Sequence, residues 1–397
     1  MTGSNVLRGW KKSIQAWKNV KRYLREAARE PSITFFSEGQ PYHPFLHPVI
    51  SNLRQTAESP ILYITSDEND SYLLTPPQNV QPFFIGKGAP MIYLFTNTNT
   101  RLMIMTMPDL NKFHIKKSVH PVHYVYIFHS IVSTHMVYRQ GAFDHFDSVL
   151  CVGPHHKAEI RAAEILRGLP EKNLINHGYG PLDTLLKNDA PIARNGNKKT
   201  NILIAPSWGT HSIIETVGEK LVSTLLAANF VVTVRPHPRT RQINPDLISQ
   251  LSTQFGSNKS FRLDTDTSHF DSLLTADLMV SDWSGAALEF SLGLQKPVLF
   301  IDVPAKVNNP SWQDLNIIPL EDNYRSQVGE ILSPEHIDLA PEYAARLLSN
   351  RGNFARNIEM LRKTHIYNLG KSGSEGARTI QGMLQDSLKT YVKPPVP

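Results

Sequence analysis

The sequence lacks the features that mark several classes of protein. Cys151 is the single cysteine in 397 residues, so an intrachain disulfide framework is excluded and a reducing compartment is expected. No run approaches the ~18 consecutive apolar residues that a membrane span needs, and the N-terminus has no signal-peptide core. The 41% of hydrophobic residues argues against general disorder, and the length suggests two or three domains. These observations predict a soluble, cytoplasmic protein.

Common nucleotide, hydrolase and metal signatures are also missing. There is no Walker GxxxxGK[ST], no GxGxxG fingerprint and no GxSxG elbow. Nine of the 16 histidines lie between His114 and His177, but no HExxH or paired-cysteine spacing accompanies them. The sequence therefore predicts no metal site and no bound cofactor.

The net charge of +6 is confined to one short segment. Residues 1–30 carry eight basic and two acidic side chains, whereas the 33 basic and 33 acidic side chains of residues 31–397 cancel. A neutral body is not the footprint of a nucleic-acid-binding protein.

The basic segment has the pattern of an amphipathic helix. Its apolar residues recur every three or four positions, which places them on one face, with lysine and arginine on the other. Such a helix suits the headgroup layer of an anionic membrane. Packing of the apolar face on the protein body and nucleic-acid binding are the alternatives. The residues predicted to contact the membrane are Trp10, Lys11, Lys12, Trp17, Lys18 and Arg22.

Beyond residue 30, short apolar β-rich runs alternate with amphipathic helical patterns, which is typical of parallel, doubly wound sheets. The polar, turn-rich stretch at 188–200 divides the alternation into two series. We predict strands at 33–37, 61–65, 81–85, 101–105, 123–128, 148–152 and 174–177, and then at 201–205, 230–235, 261–263, 278–281 and 297–301. Helices are predicted at 44–57, 155–169, 212–228 and 284–294. The predicted architecture is two α/β domains that face each other across a cleft.

Ligands of such sheets bind beyond the carboxyl ends of the strands, so the residues that follow each strand are the candidates for function. In the second series these residues read PSWG at 206–209, RPHP at 235–238 and SDWSG at 281–285. The last segment leads into a helix, whose free N–H groups favour an anion, although a serine there is often only an N-cap. In the first series, FHS at 128–130 follows a strand.

Together these motifs resemble the CDP-glycerol glycerophosphotransferases of teichoic acid and capsule synthesis. The similarity covers roughly residues 124–300 and is carried by FHS, GYGPLD (178–183), APSWG (205–209), RPHP and SDWSGAALEFSLGLQKPVLF (281–300). It implies a GT-B fold of two facing Rossmann-like domains. It also implies a metal-independent transfer from a CDP-activated alditol, on the inner face of the cell membrane, to a hydroxyl of a lipid-linked polymer. The implied divisions are 1–30 for the basic helix, 31–190 for the acceptor domain, 200–365 for the donor domain, and 366–397 for a C-terminal helix and tail that cross back.

The resemblance also assigns roles to individual residues. His129 and His237 match the family's two functional histidines, and a neutral imidazole can take a proton from an acceptor hydroxyl near neutral pH. We predict His129 as the base and His237 as the phosphate stabiliser. The predicted donor contacts are Ser207, Trp208, Arg235, Ser281, Asp282, Ser284, Gly285 and Glu289, and the predicted acceptor or cleft residues are Ser130 and Asp183.

Some positions depart from the family pattern. Gly285 stands where a second serine is usual, Gly209 replaces an arginine, and Pro181 and Leu182 replace an Arg-Asn pair. These changes concern the donor contacts, so a GT-B glycosyltransferase that moves a sugar from a CMP- or UDP-sugar is an alternative. A non-catalytic, membrane-bound subunit that binds nucleotide or polymer is a lesser one.

Overall fold

The computed structural model describes residues 3–29, 32–188, 199–266 and 270–389. Within these ranges the chain forms thirteen strands. They are β1 (Ile33–Ser37), β2 (Ile61–Thr65), β3 (Val80–Phe84), β4 (Leu102–Met105), β5 (His123–Ile127), β6 (Ser148–Cys151), β7 (Asn173–Asn176), β8 (Asn201–Ile204), β9 (Val231–Val234), β10 (Phe261–Leu263), β11 (Leu278–Ser281), β12 (Val298–Ile301) and β13 (Gly329–Leu332).

The same residues form seventeen α-helices and three short 3-10 helices. The α-helices are α1 (Gly3–Arg29), α2 (His43–Thr56), α3 (Ser71–Leu74), α4 (Ala89–Asn97), α5 (Thr134–Val137), α6 (Pro154–Arg167), α7 (Gly180–Asn188), α8 (Ile213–Thr216), α9 (Gly218–Ala227), α10 (Pro238–Ile243), α11 (Pro245–Phe255), α12 (Asp271–Thr275), α13 (Gly285–Leu294), α14 (Leu320–Val328), α15 (Ala340–Ser349), α16 (Arg351–His365) and α17 (Ser372–Lys389). The 3-10 helices are Gln40–Tyr42, Trp312–Leu315 and Pro334–Leu339. None of these described helices has the length and hydropathy of a bilayer span.

Both sheets are parallel and doubly wound, which confirms the predicted fold class. The N-terminal sheet has the order β3-β2-β1-β4-β5-β6-β7, and the C-terminal sheet has the order β10-β9-β8-β11-β12-β13. Central strands such as β4 and β11 are buried along their whole length, as continuous apolar runs require. Because β8, β9 and β11 are neighbours, the segments that follow them emerge side by side at one edge of the sheet.

Two local predictions in the C-terminal domain were wrong. The helix predicted at 212–228 is two helices, α8 and α9, because the backbone leaves the helical region at Val217 (φ −127°, ψ 8°). Valine followed by glycine is a weak helix-forming pair. The edge strand β13 was not predicted, because its four residues include a charged Glu330 and a partly exposed Ile331 instead of a buried run.

The helix α1 packs on the N-terminal domain with part of its apolar face. Ala16, Val20, Tyr23 and Ala27 are buried, and the Tyr23 hydroxyl lies 2.7 Å from the Thr98 hydroxyl. The packing alternative therefore describes this part of the helix. Towards the start of α1, Trp10 and Ile14 are 70% and 50% exposed.

The residues predicted to contact a membrane occupy different environments on α1. Lys12 pairs with Glu68 (2.6 Å), Trp17 contacts the ring of Tyr93, and Arg22 lies 4.7 Å from the centre of the Phe83 ring. Lys18 is exposed beside them. The side chain of Lys11 lies outside the described part of the protein.

The end of the described chain returns to the N-terminal domain. After α16, which donates from Arg362 to the carbonyl groups of α13, the amide of Tyr367 donates to the carbonyl of Val152 (2.9 Å). Helix α17 then packs along α2. Most of the linker predicted at 188–200 lies outside the described residues, as does the tail from 390 onwards.

Candidate functional site

The two domains meet where strands β5, β8, β9 and β11 end. Contacts across this boundary include a hydrogen bond from the amide of Ser133 in the N-terminal domain to Glu321 in the C-terminal domain (3.0 Å). Three of the segments predicted to bear function, at 128–130, 206–209 and 235–238, lie around this cleft. We describe their side chains in turn.

His129 follows β5 and is held in one tautomer. Its Nδ1 lies 2.9 Å from the carbonyl of Thr106 and 3.1 Å from the hydroxyl of Tyr126. A carbonyl oxygen can only accept, so Nδ1 carries the proton and the lone pair is on Nε2. Burial lowers the pKa of His129 to about 4, partly offset by the Thr106 carbonyl, so the ring is neutral near pH 7. His129 is thus a neutral imidazole with a free acceptor nitrogen.

His237 follows β9 and has the opposite arrangement. Its Nδ1 accepts the amide proton of Arg239 (3.0 Å) at the start of α10, so the proton of the neutral ring is on Nε2. Burial, together with the charges of Lys306, His129 and Arg239, lowers the pKa of His237 to about 3. The two histidines thus stand on different domains, His129 after β5 and His237 after β9.

Trp208 and two cations surround His237 on the C-terminal side. The Trp208 and His237 rings are 6.2 Å apart, and the Lys306 ammonium and the Arg239 guanidinium lie 3.7 Å and 5.3 Å from the Trp208 ring centre. Burial lowers the pKa of Lys306 to about 7, although the charge of Asp282 opposes this shift. A flat aromatic surface beside two cations can hold a base and its phosphates.

Arg235 was predicted to bind the donor phosphate, but its guanidinium is engaged within its own domain. It donates to Asp264 (3.2 Å) and to the hydroxyl of Ser272 (2.7 Å), and its side chain is largely buried. It also influences the pKa of Glu289 through its charge. Lys306 and Arg239 are the cations that contact the Trp208 ring and whose charges lower the pKa of His237, together with its burial.

Ser281 and Asp282 also differ from their predicted role as donor contacts. The Ser281 hydroxyl is fully buried and donates to the carbonyl of Ala205 (2.7 Å). The Asp282 carboxyl accepts the amide protons of Ser207 (2.7 Å) and Ile213 (3.0 Å) and is 1% exposed. Buried polar groups need hydrogen-bond partners, and these two side chains find theirs in the backbone of the loop that follows β8. Both residues therefore hold this loop in place. Asp282 thereby positions Ser207 and the adjoining Trp208, which were predicted to line the nucleotide pocket.

The start of α13 combines Ser284 and Gly285 with Ser130 of the other domain. The Ser284 hydroxyl is an N-cap that accepts the amide proton of Ala286 (3.3 Å). A side chain at Gly285 would lie only 2.8 Å from the Ser130 hydroxyl oxygen. Glycine at 285 therefore lets Ser130 approach the N-terminus of the helix, where the unpaired amides favour an anion.

Glu289 faces the N-terminal domain from α13. Its carboxylate accepts a hydrogen bond of 2.5 Å from the hydroxyl of Tyr179, a residue of the predicted GYGPLD segment. Burial raises the pKa of Glu289, and the Tyr179 hydrogen bond and the charge of Arg235 oppose this shift. The hydrogen bond between Tyr179 and Glu289 thus joins the two domains. The same carboxylate could accept from a donor hydroxyl in place of the Tyr179 hydroxyl.

Asp183 was predicted as an acceptor or cleft residue, but the structure shows a different role. Its carboxyl accepts hydrogen bonds from the amides of Gly370 (2.6 Å) and Ser372 (2.7 Å) and from the Ser372 hydroxyl (2.6 Å). It is 5% exposed, and burial raises its pKa. Asp183 therefore anchors the start of α17 to the N-terminal domain.

The sequence reasoning missed several polar residues of the cleft. Lys306 lies in the loop after β12, and Glu38 and Tyr42 follow β1, so the rule that function lies beyond strand ends would have found all three. Arg239 follows the RPHP motif directly. Among the described residues, no group of three or more histidine, cysteine, aspartate or glutamate side chains could hold a metal ion.

Comparison with known families confirms the resemblance seen in the motifs. Residues 142–304 match the model of the family described as CDP-glycerol:poly(glycerophosphate) glycerophosphotransferase. The matched range contains the PSWG, RPHP and SDWSG segments, whereas His129 lies just before it. No curated protein matches the chain in sequence.

Solved structures confirm the GT-B fold over nearly the whole chain. The wall teichoic acid polymerase TagF, as an H444N variant soaked with CDPG, has a TM-score of 0.62 at 14% identity, over 98% of this chain and 100% of that one. The UDP-GlcNAc 2-epimerase of Methanocaldococcus jannaschii has a TM-score of 0.52 at 14% identity, over 89% and 99% of the two chains. A putative UDP-N-acetylglucosamine 2-epimerase from Listeria monocytogenes has a TM-score of 0.57 at 11% identity, over 92% and 98%.

Proposed function

Because residues 142–304 carry the pattern of the glycerophosphotransferase family, we propose that the protein transfers glycerol phosphate, or a similar alditol phosphate, from a CDP-linked donor to a hydroxyl of a surface polymer. The observation that carries this proposal is the pair of histidines on the two walls of the cleft. His129 offers a lone pair and His237 offers an N–H, so one can remove a proton while the other donates to a phosphate oxygen.

In the proposed reaction the acceptor oxygen attacks the phosphorus that bears the alditol. The bond from that phosphorus to the bridging oxygen of the diphosphate breaks, and CMP leaves with the bonding electron pair. His129 Nε2 takes the acceptor proton. Burial lowers the pKa of His129, and the negative charge of a diphosphate beside it acts in the opposite direction, which makes it a better base.

The leaving phosphate is stabilised from the C-terminal wall. His237 Nε2–H, Lys306 and Arg239 supply hydrogen bonds and positive charge, and Trp208 lines the nucleotide pocket. Phosphoryl transfer depends mainly on such positioning and charge. Ser207 directly precedes Trp208, and Ser284 and Gly285 follow β11, the neighbour of β8, so these three residues complete the proposed donor site. No metal or cofactor takes part in the proposal.

The donor is tested by incubating the full chain with CDP-glycerol, CDP-ribitol and a panel of CMP- and UDP-sugars, and measuring the released nucleotide. We expect CMP release from a CDP-alditol only. Turnover of a nucleotide sugar alone would show that the protein is a glycosyltransferase. If no donor is turned over and the cellular polymer is unchanged by His129→Ala and His237→Ala, the protein is a non-catalytic subunit.

We further propose that the protein works at the inner face of the cell membrane on a lipid-linked acceptor. The support is the exposed Trp10 and Ile14 on α1, next to Trp17, Tyr93 and the basic Lys18. Removal of the whole helix would expose the buried Val20 and Tyr23, so point variants are the cleaner test. Trp10→Ala combined with Ile14→Ala should reduce pelleting with phosphatidylglycerol vesicles, while Leu388→Ala, at an exposed position of α17, should not. Equal pelleting of all three proteins would contradict the membrane proposal.

A further inference from the structure

A cavity of about 500 Å³ lies beside the cleft, under the helix α1. We call it the side cavity. It is bounded by α1 and by the carboxyl ends of β1, β2 and β3, and its lining includes Ser13, Ala16, Glu38, Asn69, Phe84 and Lys87. Because these strand ends belong to the same sheet edge as β5, the side cavity opens on the side of the sheet where ligands of this fold bind.

Glu38 and Tyr42 connect the side cavity to the proposed base. The Tyr42 hydroxyl donates to the Glu38 carboxylate, and the Tyr42 ring stands edge-on to the His129 ring at 6.0 Å. Burial and the charge of Glu38 raise the pKa of Tyr42, and the charge of Arg239, on the donor wall, opposes this shift. The order along the molecule is therefore side cavity, Glu38, Tyr42, and then His129 and the donor wall.

The wall of the side cavity offers groups that can bind the hydroxyls of a ligand. Lys12 pairs with Glu68 across its rim (2.6 Å), and the Asp67 carboxyl accepts the amides of Asn69 (3.0 Å) and Gln40 (3.4 Å). Besides these paired groups, the lining offers the Ser13 hydroxyl, the Asn69 amide, the Glu38 carboxyl and the Lys87 ammonium. Groups of this kind bind the hydroxyls of polyols and sugars.

Glu38 is the side chain best placed to hold such a hydroxyl. Burial raises its pKa to about 7, and the Tyr42 hydrogen bond and the charge of Lys87 oppose that shift. The ionised form is therefore well populated at neutral pH, and a carboxylate accepts strong hydrogen bonds from hydroxyl groups. Glu38 and the lining of the side cavity lie outside the sequence motifs described above. They also lie outside the range matched by the family model, which begins at residue 142.

We propose that the side cavity binds the hydroxyl-rich end of the acceptor, and that Glu38 holds an acceptor hydroxyl so that the reacting oxygen reaches His129. This inference rests on the proposed transferase function. The exposed Trp10 and Ile14 lie on the same helix as Ser13 and Ala16, so an acceptor anchored at a membrane surface would enter the side cavity from the α1 side.

The test is a steady-state comparison of full-length variants, with CDP-glycerol as donor and a short synthetic glycerol phosphate oligomer as acceptor. Glu38→Gln should raise the acceptor KM about tenfold, because a charged hydrogen-bond acceptor is lost, while the KM for CDP-glycerol stays unchanged. Glu26→Gln, on the outer side of α1, is the matched control and should change neither constant. Ser13→Tyr, which fills the rim from an exposed position, should also raise the acceptor KM, whereas Gln15→Tyr should not.

Two failures can be told apart. If the wild-type protein releases CMP from CDP-glycerol but neither Glu38→Gln nor Ser13→Tyr changes the acceptor KM, the side cavity is not the acceptor site and the transferase function stands. If the wild-type protein releases CMP from neither CDP-glycerol nor CDP-ribitol, with or without the oligomer, both proposals are overturned. Equal rises in the acceptor and donor KM of Glu38→Gln would indicate a general disturbance of the cleft and would also overturn the proposed role of Glu38.

Discussion

The two walls of the cleft carry the same residue type in opposite chemical states. On the N-terminal wall, His129 stands among the aromatic rings of Tyr42, Phe45 and Tyr138, and its Nδ1 proton is bound by a carbonyl. On the C-terminal wall, His237 stands beside Trp208 and two cations, and its Nδ1 accepts from an amide. The backbone partner of Nδ1 thus determines whether the nitrogen facing the substrate is a base or a donor.

The two walls also differ in charge. The N-terminal wall next to His129 is aromatic and supplies a lone pair, which suits the uncharged hydroxyl of an acceptor. The C-terminal wall supplies positive charge, which suits a diphosphate. The difference between the walls places the base beside the acceptor hydroxyl and the hydrogen-bond donor beside the diphosphate. Two equivalent walls would not make this distinction.

The largest expected effect is the loss of the base. His129→Ala should lower kcat for transfer by about 10³-fold, within the 10²–10⁴ range of general acid–base catalysis, and leave the Kd for CDP-glycerol unchanged. Single-turnover kinetics and donor binding by calorimetry measure the two quantities. His120→Ala, at an exposed position of the same domain, is the control. A comparable loss of donor affinity in His129→Ala would show that both walls bind the donor.

The next effect concerns the donor nitrogen of His237. His237→Ala should lower kcat by about 10²-fold, because one preorganised hydrogen bond to the leaving phosphate is lost. His237→Asn should recover part of this activity, since its amide can also donate. The corresponding His129→Asn should recover none, because an amide N–H cannot remove a proton. Equal rescue at both positions would remove the distinction between the walls.

A smaller effect should be seen at Lys306. Burial lowers its pKa to about 7, so its protonated fraction falls about tenfold between pH 6 and pH 8, and the neutral amine has to gain a proton before it can pair with the diphosphate. The KM for CDP-glycerol should therefore rise over this range. Lys306→Arg should abolish the rise, because arginine stays charged.

Lys306→Met should raise the donor KM about tenfold at pH 6, where the wild-type ammonium is charged. The matched variant Lys220→Met removes an exposed lysine that faces Asp338 on another side of the domain and should behave as wild type. A pH profile of Lys306→Arg identical to that of the wild type would assign the titration to another group.

The smallest effect is expected where Tyr179 and Glu289 join the two domains. Tyr179→Phe removes the hydrogen bond to the buried Glu289 and should lower the free energy of unfolding by about 1–2 kcal/mol. Thermal unfolding should show a lower midpoint temperature for Tyr179→Phe. The control Tyr93→Phe, at a side chain that is 47% exposed, should leave the midpoint temperature unchanged. Addition of CDP-glycerol should reduce the difference in midpoint temperature between the wild type and Tyr179→Phe if a donor hydroxyl replaces the Tyr179 hydroxyl as partner of Glu289.

Sequence reasoning was most accurate for features that depend on a single strand and on the residues that directly follow it. The alternation of apolar runs predicted both sheets, and the rule of strand ends located His129, Trp208 and His237 near one cleft. It failed where a role depends on distant partners. Nothing local to Asp183 indicates that it binds the amides of residues 370 and 372, and nothing local to Arg235 indicates Ser272.

The same limit explains the residues that were missed. Glu38 and Lys306 belong to no recognisable motif, and they matter because the fold buries them beside Tyr42 and Trp208. For the helix α1, the sequence pattern indicated one apolar face, yet the fold divides that face between the body of the protein and the solvent. Amphipathicity shows that a face needs a partner and does not say which one.

The anchoring of α17 by Asp183 has a consequence for the order in which the molecule is completed. The N-terminal domain includes both ends of the described chain, so the C-terminal domain is, in topological terms, an insertion into it. During synthesis the C-terminal domain has all of its own residues before the N-terminal domain receives its last helix. The N-terminal domain therefore begins to be synthesised first but receives its helix α17 only after the C-terminal domain has been made. A truncation that removes α17 would remove a helix that packs on α2.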